Sequence, residues 1–130
     1  MASPLKIVVV ENHDDIRFYL SKYLEQQGHE VESASDMQSA LVLLAEVAPD
    51  VLISDIGLPD GDGWALLAAL DPKPFAIAMS GFGSSNDFQR SEKAGFKHHL
   101  TKPFLPEDLD VLLADAIQER ATRGENDAKQ

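Results

Sequence analysis

The sequence contains no cysteine among its 130 residues. This absence excludes a disulfide scaffold, a thiolate nucleophile and a zinc site with cysteine ligands, and it fits a reducing compartment. Apolar stretches such as Trp64–Leu70 are far shorter than the roughly 18 residues of a membrane span. The first residues, MASPLK, lack the charged-then-apolar pattern of a signal peptide. We therefore expect a cytoplasmic location and no membrane partner.

Basic residues are also scarce. Eleven Lys and Arg face 22 Asp and Glu, a net charge of −11, which disfavours direct binding to nucleic acid or to an anionic membrane. The excess lies mainly in residues 1–65, with twelve acids and three bases, whereas residues 66–130 have ten acids and eight bases. The first half of the chain therefore gathers carboxylates.

Short apolar runs alternate with segments of helical periodicity, which predicts five strand–helix units. The predicted strands are Leu5–Val10, His29–Ala34, Val51–Ser54, Phe75–Met79 and Phe96–Leu100. The predicted helices are Asp14–Gln27, a segment from the cap Asp36 to a break at Pro49, Trp64–Leu70, Ser84–Ala94 and Pro106–Arg120. We expect one domain over residues 1–120 and a disordered tail over 121–130, which has no apolar anchor.

Repeated strand–helix units favour an α/β three-layer sandwich, in which helices cover both faces of a five-stranded parallel sheet. The uniformly apolar first, third and fourth strands suit central positions, and the alternating segment HEVESA suits an edge. The predicted strand order is therefore 2-1-3-4-5. Ligands of such sheets bind beyond the carboxyl ends of the strands.

Polar side chains follow four of these strands. Glu11 and Asn12 follow the first, Asp55 the third, Ser80 the fourth and Lys102 the fifth. Carboxylate and amide oxygens suit Mg²⁺. A carboxylate can also accept a phosphoryl group, whose oxygens an ammonium and a hydroxyl could hold. The pattern predicts Mg²⁺-dependent phosphoryl capture on Asp55.

Four segments carry a family resemblance: VVVEN, LISDIGLPDGDGW, AIAMSGFG and AGFKHHLTKPF. Their ordered combination resembles the receiver domain of bacterial two-component response regulators, from about residue 5 to residue 117. The sequences of these segments are most similar to those of receivers attached to hybrid histidine kinases. The resemblance implies the flavodoxin-like receiver fold with five helices.

The resemblance also assigns a role to each matching residue. It implies Asp55 as phosphoacceptor, Glu11 and Asn12 as the metal-binding pair, Gly57 as a backbone carbonyl ligand of the metal, Lys102 as the contact of the phosphoryl group, and Ser80 with His99 as the switch. The chain would then be a signalling domain that assists its own phosphotransfer and dephosphorylation, not an enzyme acting on free substrates.

The implied phosphodonor is a histidine kinase or phosphotransfer protein. The implied output surface is the fourth helix, fifth strand and fifth helix, with Phe82 and the fourth helix moving when Ser80 is drawn inward. From Lys73 to Lys102 the chain has five bases and two acids, net +3. We therefore expect an acidic downstream protein partner.

Two residues depart from the family pattern. Asn12 stands where a second acid is usual, so we expect weaker Mg²⁺ binding. His99 stands where Tyr or Phe is usual, and its imidazole would make the switch mildly pH-sensitive. The four histidines form no HxxxH pair, so we expect surface or half-buried positions for them instead of zinc ligation. Asn12 is also a candidate cap of the first helix.

Several alternatives stay open or are disfavoured. A pseudo-receiver would bind partners without phosphorylation, and Asn12 is its support. A phosphatase acting on free substrates lacks a second Asp two residues after Asp55. A flavin phosphate would be repelled by the acids after the first strand, and the Asp60–Gly63 turn lacks the remaining ligands of a calcium loop. A free-standing regulator and a piece of a hybrid kinase are both compatible with the sequence.

Overall fold

The computed structural model of the chain describes residues 4–81 and 85–128. The strands are β1 (Lys6–Val10), β2 (Glu30–Ala34), β3 (Val51–Asp55), β4 (Gly57–Leu58), β5 (Gly61–Asp62), β6 (Phe75–Ser80) and β7 (His98–Thr101). The helices are α1 (Asp14–Gln26), α2 (Met37–Glu46), α3 (Gly63–Ala68), α4 (Ser85–Ala94) and α5 (Pro106–Ala128). Within these residues, no helix has both the length and the apolar character needed to cross a membrane.

Within the described residues, five strands form one parallel sheet in the order β2-β1-β3-β6-β7. Because β6 and β7 are its fourth and fifth strands in the sequence, the predicted order 2-1-3-4-5 is confirmed. Every residue of β3 is buried, as central strands require, whereas most residues of β2 are exposed at the edge. The short strands β4 and β5 form a separate antiparallel hairpin.

Alternate residues of the central strands face two cores. On one face Ile7, Val9 and Ile53 pack with apolar residues of α1 and α5. On the other face Val8 and Leu52 pack with apolar residues of α2 and α3. Each such side chain contributes about 1.5–3 kcal/mol when fully buried. The three-layer sandwich is thereby confirmed.

The ends of two helices follow from local chemistry. Gly28, at φ 97°, ends α1 in the left-handed conformation, and its N–H donates to the carbonyl of Glu25 while the N–H of His29 donates to that of Leu24. Asp36 caps α2 as predicted, since its Oδ1 accepts the N–H of Ser39 at 2.8 Å. These ends define where the chain turns back toward the sheet.

The structure differs from the sequence analysis at the C-terminal end. Helix α5 continues to Ala128, beyond the end predicted at Arg120 and into the segment 121–130 where we expect a disordered tail. Extending an existing helix adds one hydrogen bond per residue, and the segment contains no proline to stop it. Residues 129–130 and Phe82 lie outside the described residues.

Candidate functional site

Strand register places three charged side chains at the carboxyl edge of the sheet. Val10 of β1 is paired with Ser54 of β3, so the next residues, Glu11 and Asp55, are neighbours. Asp55 is paired with Met79 of β6, directly before Ser80. Ser80 is paired with Thr101 of β7, directly before Lys102. Parallel pairing therefore gathers the residues that the sequence analysis singled out.

Lys102 lies between the two carboxylates. Its Nζ is 2.7 Å from Oδ1 of Asp55 and also contacts Oε1 of Glu11. The exposed fraction of the side chain is 0% for Glu11, 8% for Asp55 and 20% for Lys102. Buried carboxylates are tolerated when a counter-charge is hydrogen-bonded to them, and Lys102 supplies one positive charge to both.

The two carboxyls differ in their affinity for a proton. Burial and the hydrogen bond with Glu11 raise the pKa of Asp55 to about 7, despite Lys102. Burial also disfavours ionised Glu11, but hydrogen bonds with Asp55, Lys102 and His13 outweigh it and lower its pKa to about 2. Below about pH 7 the pair therefore carries one negative charge, which Lys102 balances. When Asp55 ionises as well, the pair carries more negative charge than one ammonium can balance, and an added cation would favour that ionisation.

Glu11 is held by further donors from the start of α1. Its Oε2 accepts the backbone N–H of His13 at 2.9 Å and lies 3.0 Å from Nδ1 of the same residue. Arg17 donates from Nη1 to the carbonyl of Glu11 at 2.8 Å, and its Nη2 donates to Oδ1 of Asp14 at 2.6 Å. The turn after β1 is thus fixed by side chains.

Potential metal ligands converge in this turn. Three residues, Glu11, His13 and Asp55, each provide one ligand atom, and these atoms lie within 4.8 Å of one another. The prediction that His13 is a surface residue describes its 68% exposed side chain correctly but missed its place in the site. Its position two residues after Glu11, at the end of β1, is the sequence signal that could have found it.

Asn12 and Gly57 lie at the periphery. Both are exposed. The predicted capping role of Asn12 is wrong, because His13 occupies the N-cap position of α1. Gly57 starts the β4–β5 hairpin and lines a cleft of about 370 Å³ together with Asp55, Ser80 and Lys102. The phosphoacceptor candidate therefore faces a space that a small group can enter.

The hairpin beside the cleft is fixed at both ends. The N–H of Gly63 donates to the carbonyl of Ile56 at 2.7 Å, and a Cβ at Gly63 would lie 2.4 Å from the carbonyl oxygen of Asp55. Asp60, in the turn, accepts the N–H groups of Met37 and Gln38 at 2.7 and 2.9 Å. The rim of the cleft is therefore tied to the first turn of α2.

Ser80 is connected to α4 and α3 through His99. Nε2 of His99 lies 2.7 Å from Oγ of Ser80, and Nδ1 lies 3.0 Å from Oγ of Ser91. Trp64 donates from Nε1 to Ser91 at 2.9 Å. Burial lowers the pKa of His99, with the Asp87 charge opposing. The imidazole thus bridges the site and the helices beside it.

Comparisons with known sequences agree with this architecture. Residues 7–114 match the model of the response regulator receiver domain. The chain is 34% identical over 110 residues to an uncharacterized 14.6 kDa protein in the sodA1 3′ region of Leptolyngbya boryana, covering 81% of this chain and 84% of that protein. It is 30% identical over 108 residues to the transcriptional regulatory protein PhoP of Escherichia coli O157:H7, covering 81% of this chain and 48% of PhoP.

Solved structures show the same fold. The chemotaxis response regulator CheY4 of Vibrio cholerae superposes with a TM-score of 0.80 at 28% identity, covering 88% of this chain and 99% of that one. NtrX of Brucella abortus superposes with a TM-score of 0.89 at 27% identity, covering 98% of this chain and 30% of that one. The chain spans less than half of PhoP and of the NtrX structure, which are longer proteins. With a family match over most of its length and the parallel sheet that this match implies, the chain belongs to the response regulator receiver domains of two-component systems.

Proposed function

We propose that Asp55 accepts a phosphoryl group from the phosphohistidine of a histidine kinase or phosphotransfer protein, in a Mg²⁺-dependent reaction. The observation that carries this proposal is the placement of Asp55, 2.7 Å from the Lys102 ammonium and beside buried Glu11, at a cleft of about 370 Å³. Membership in the receiver family supports the same reaction.

Transfer in this site would rest on positioning and charge. A carboxylate oxygen of Asp55 forms a bond to phosphorus as the phosphorus–nitrogen bond of the donor breaks, and the electron pair stays on the departing imidazole. Lys102, already paired with Asp55, is placed to neutralise oxygens of the transferred group. The ionised carboxylate is the nucleophile, so the proton that burial favours on Asp55 must leave first.

The donor set suits a divalent metal ion. We propose that Glu11, Asn12, Asp55 and the backbone carbonyl of Gly57 would hold Mg²⁺, with Asn12 acting directly or through water. All four offer oxygen, and Glu11 and Asp55 together exceed the charge of Lys102, so the chemistry of the residues fits the ion. When bound, Mg²⁺ supplies positive charge that offsets repulsion between the carboxylates and the incoming phosphoryl oxygens.

The proposed switch begins at Ser80. A phosphoryl group on Asp55 attracts the Ser80 hydroxyl, which in the described conformation is hydrogen-bonded to His99. Loss or weakening of that bond would allow His99 to reorient and would change the surface of α4, β7 and α5. The segment from Lys73 to Lys102, which contains α4 and β7, has a net charge of +3, and this favours an acidic protein partner for that part of the surface. The net charge of −11 of the whole chain disfavours nucleic acid.

The test is phosphorylation with a small phosphodonor such as acetyl phosphate in Mg²⁺, followed by intact-mass measurement. We expect one added phosphoryl group in the wild type, none in Asp55→Asn, and the wild-type result in Asp71→Asn, whose exposed carboxylate precedes β6 at the other end of the sheet. Phosphotransfer profiling against candidate histidine kinases then identifies the donor. A folded wild type without any adduct would overturn the proposal and favour a pseudo-receiver.

A further inference from the structure

We propose that the His13 imidazole joins Glu11 and Asp55 as a metal ligand, so that this site prefers first-row transition ions such as Mn²⁺ and Co²⁺ to Mg²⁺ more strongly than an all-oxygen site would. The inference rests on the proposed function, since it concerns the same site. It names a ligand that the sequence analysis did not include and the class of metal that this ligand favours.

The three proposed ligands lie close together. Ligand atoms of Glu11, His13 and Asp55 lie within 4.8 Å of one another, close enough for a single ion to contact all three residues. Glu11 and Asp55 are buried, whereas the His13 side chain is 68% exposed. Two ligands are thus fixed in the protein, and the third stands where an ion enters.

His13 is oriented before any ion binds. Its backbone N–H and its Nδ1 both contact Oε2 of Glu11, at 2.9 and 3.0 Å. Arg17 holds the carbonyl of Glu11 at 2.8 Å and so fixes the same turn. Nδ1 of His13 therefore faces the carboxylate that would hold the ion, and an ion that replaces the hydrogen shared between them would contact both residues.

The ligand set combines nitrogen with oxygen. Imidazole nitrogen binds Co²⁺ and Zn²⁺ well and Mn²⁺ less strongly, whereas Mg²⁺ strongly prefers oxygen. At the adjacent position the chain has Asn12, an exposed amide without the negative charge of a carboxylate. Loss of an anionic oxygen weakens the binding of every divalent ion, whereas the added nitrogen selectively strengthens transition-ion binding. The shift in preference therefore comes from His13.

A purely structural role for His13 predicts a different behaviour. If the ring only stabilises ionised Glu11, its removal would weaken the binding of every divalent ion to a similar degree. If the ring is a ligand, its removal would weaken Co²⁺ binding far more than Mg²⁺ binding, with an intermediate loss for Mn²⁺. The ratio of affinities between the two classes of ion therefore separates the two roles.

The experiment titrates Mg²⁺, Mn²⁺ and Co²⁺ into the full chain and follows the fluorescence of Trp64, which lines the cleft and is the sole tryptophan of the sequence. The variants are His13→Gln and, as the matched control, His98→Gln, whose ring pairs with Asp115 of α5 at 3.1 Å. We expect His13→Gln to lose about tenfold or more in Co²⁺ affinity and about twofold or less in Mg²⁺ affinity. The control should behave as the wild type does.

A direct readout is pulsed electron paramagnetic resonance of bound Mn²⁺. We expect a coupling to imidazole nitrogen in the wild type and in His98→Gln that is lost in His13→Gln. Equal losses for all ions in His13→Gln, or no nitrogen coupling in the wild type, would overturn the inference while Mg²⁺-dependent phosphorylation of Asp55 still stands. A wild type that binds none of the ions and forms no phosphoadduct would overturn the proposed function as well.

Discussion

The hydroxyl of Ser80 and the imidazole of His99 are already joined, with Oγ and Nε2 2.7 Å apart. Nδ1 of the same ring contacts Ser91, which accepts the indole N–H of Trp64. Phe88 of α4 packs edge-on against the ring at 4.4 Å between centroids. Any displacement of Ser80 toward Asp55 therefore acts on a ring that belongs to β7 and contacts α4.

The first prediction concerns the protonation of His99. Burial lowers its pKa below the ordinary 6.5, so the unmodified protein should hold a neutral ring at neutral pH. A phosphoryl dianion on Asp55 should raise that pKa, because it favours the imidazolium and alters the Ser80 bond. By linkage, mild acidification then favours the phosphorylated state of the switch. The measurement is an NMR titration of the His99 ring before and after phosphorylation.

The matched variant for this prediction is His99→Phe, which keeps an aromatic ring beside Phe88 and cannot titrate. Activation is measured as binding to the protein partner. We expect activation of the wild type to vary with pH over roughly pH 6 to 8, and activation of His99→Phe to vary less. The same pKa for His99 in both phosphorylation states, or identical pH profiles for the two proteins, would contradict the prediction.

The second prediction concerns stability without metal ions. The pKa of Asp55 is raised from 3.8 to about 7 in the folded protein, so the folded state keeps a proton that the unfolded state releases. This contribution to stability is fully present below pH 3.8 and is lost as the pH rises through about 7. Asp55→Asn has no such loss, so near pH 8 its free energy of unfolding should exceed that of the wild type by on the order of 3 kcal/mol.

Urea unfolding with a chelator present, from about pH 4 to pH 8, measures this difference. The gap between Asp55→Asn and wild type should widen with pH, and Mg²⁺ should narrow it because it binds the folded wild type. Asp71→Asn, exposed before β6, should follow the wild-type profile. Parallel profiles for Asp55→Asn and wild type would show that Asp55 ionises without cost.

The third prediction concerns Asn12. Replacement by Asp adds a negative charge to the proposed Mg²⁺ site, and we expect the variant to bind Mg²⁺ about tenfold more tightly than the wild type. Calorimetric titration checks this, with Asn86→Asp on the exposed surface of α4 as the control for added charge elsewhere. Equal affinities of Asn12→Asp and wild type would remove Asn12 from the proposed ligand set.

The sequence predicted the architecture well because the relevant signals are local. The apolar runs around Val8–Val10 and Val51–Ile53 identify central strands, and parallel strands necessarily bring Glu11, Asp55 and Lys102 to one edge. Residue types at strand ends were therefore sufficient to predict that these side chains lie together. They did not predict that His13 lies beside them.

The missed features depend on side-chain directions that a linear pattern does not contain. His13 enters the site through two hydrogen bonds to Glu11, both set by the turn before α1. The contact of His99 with Ser91 requires α4 to pack on β7 in one particular way. In the sequence, Asp60 is recognisable only as part of an incomplete calcium motif. In the structure, its carboxylate accepts hydrogen bonds from the first two N–H groups of α2.

The fourth prediction tests how the β4–β5 hairpin supports Asp55. A Cβ at Gly63 would lie 2.4 Å from the Asp55 carbonyl oxygen and 3.2 Å from Cα of Ile56. Because these are backbone atoms, they cannot move aside without displacing the end of β3. We expect Gly63→Ala to lower the free energy of unfolding by about 1–3 kcal/mol and to slow phosphorylation of Asp55 in the remaining folded protein.

The control is Gly57→Ala. At Gly57, a Cβ would meet nothing within 4 Å among the described residues, so this substitution should change the free energy of unfolding by about 0.5 kcal/mol or less. Urea unfolding and the rate of adduct formation with acetyl phosphate measure both effects. Wild-type stability in Gly63→Ala would mean that the hairpin can shift without cost, and Asp55 would then owe its position to β3 alone.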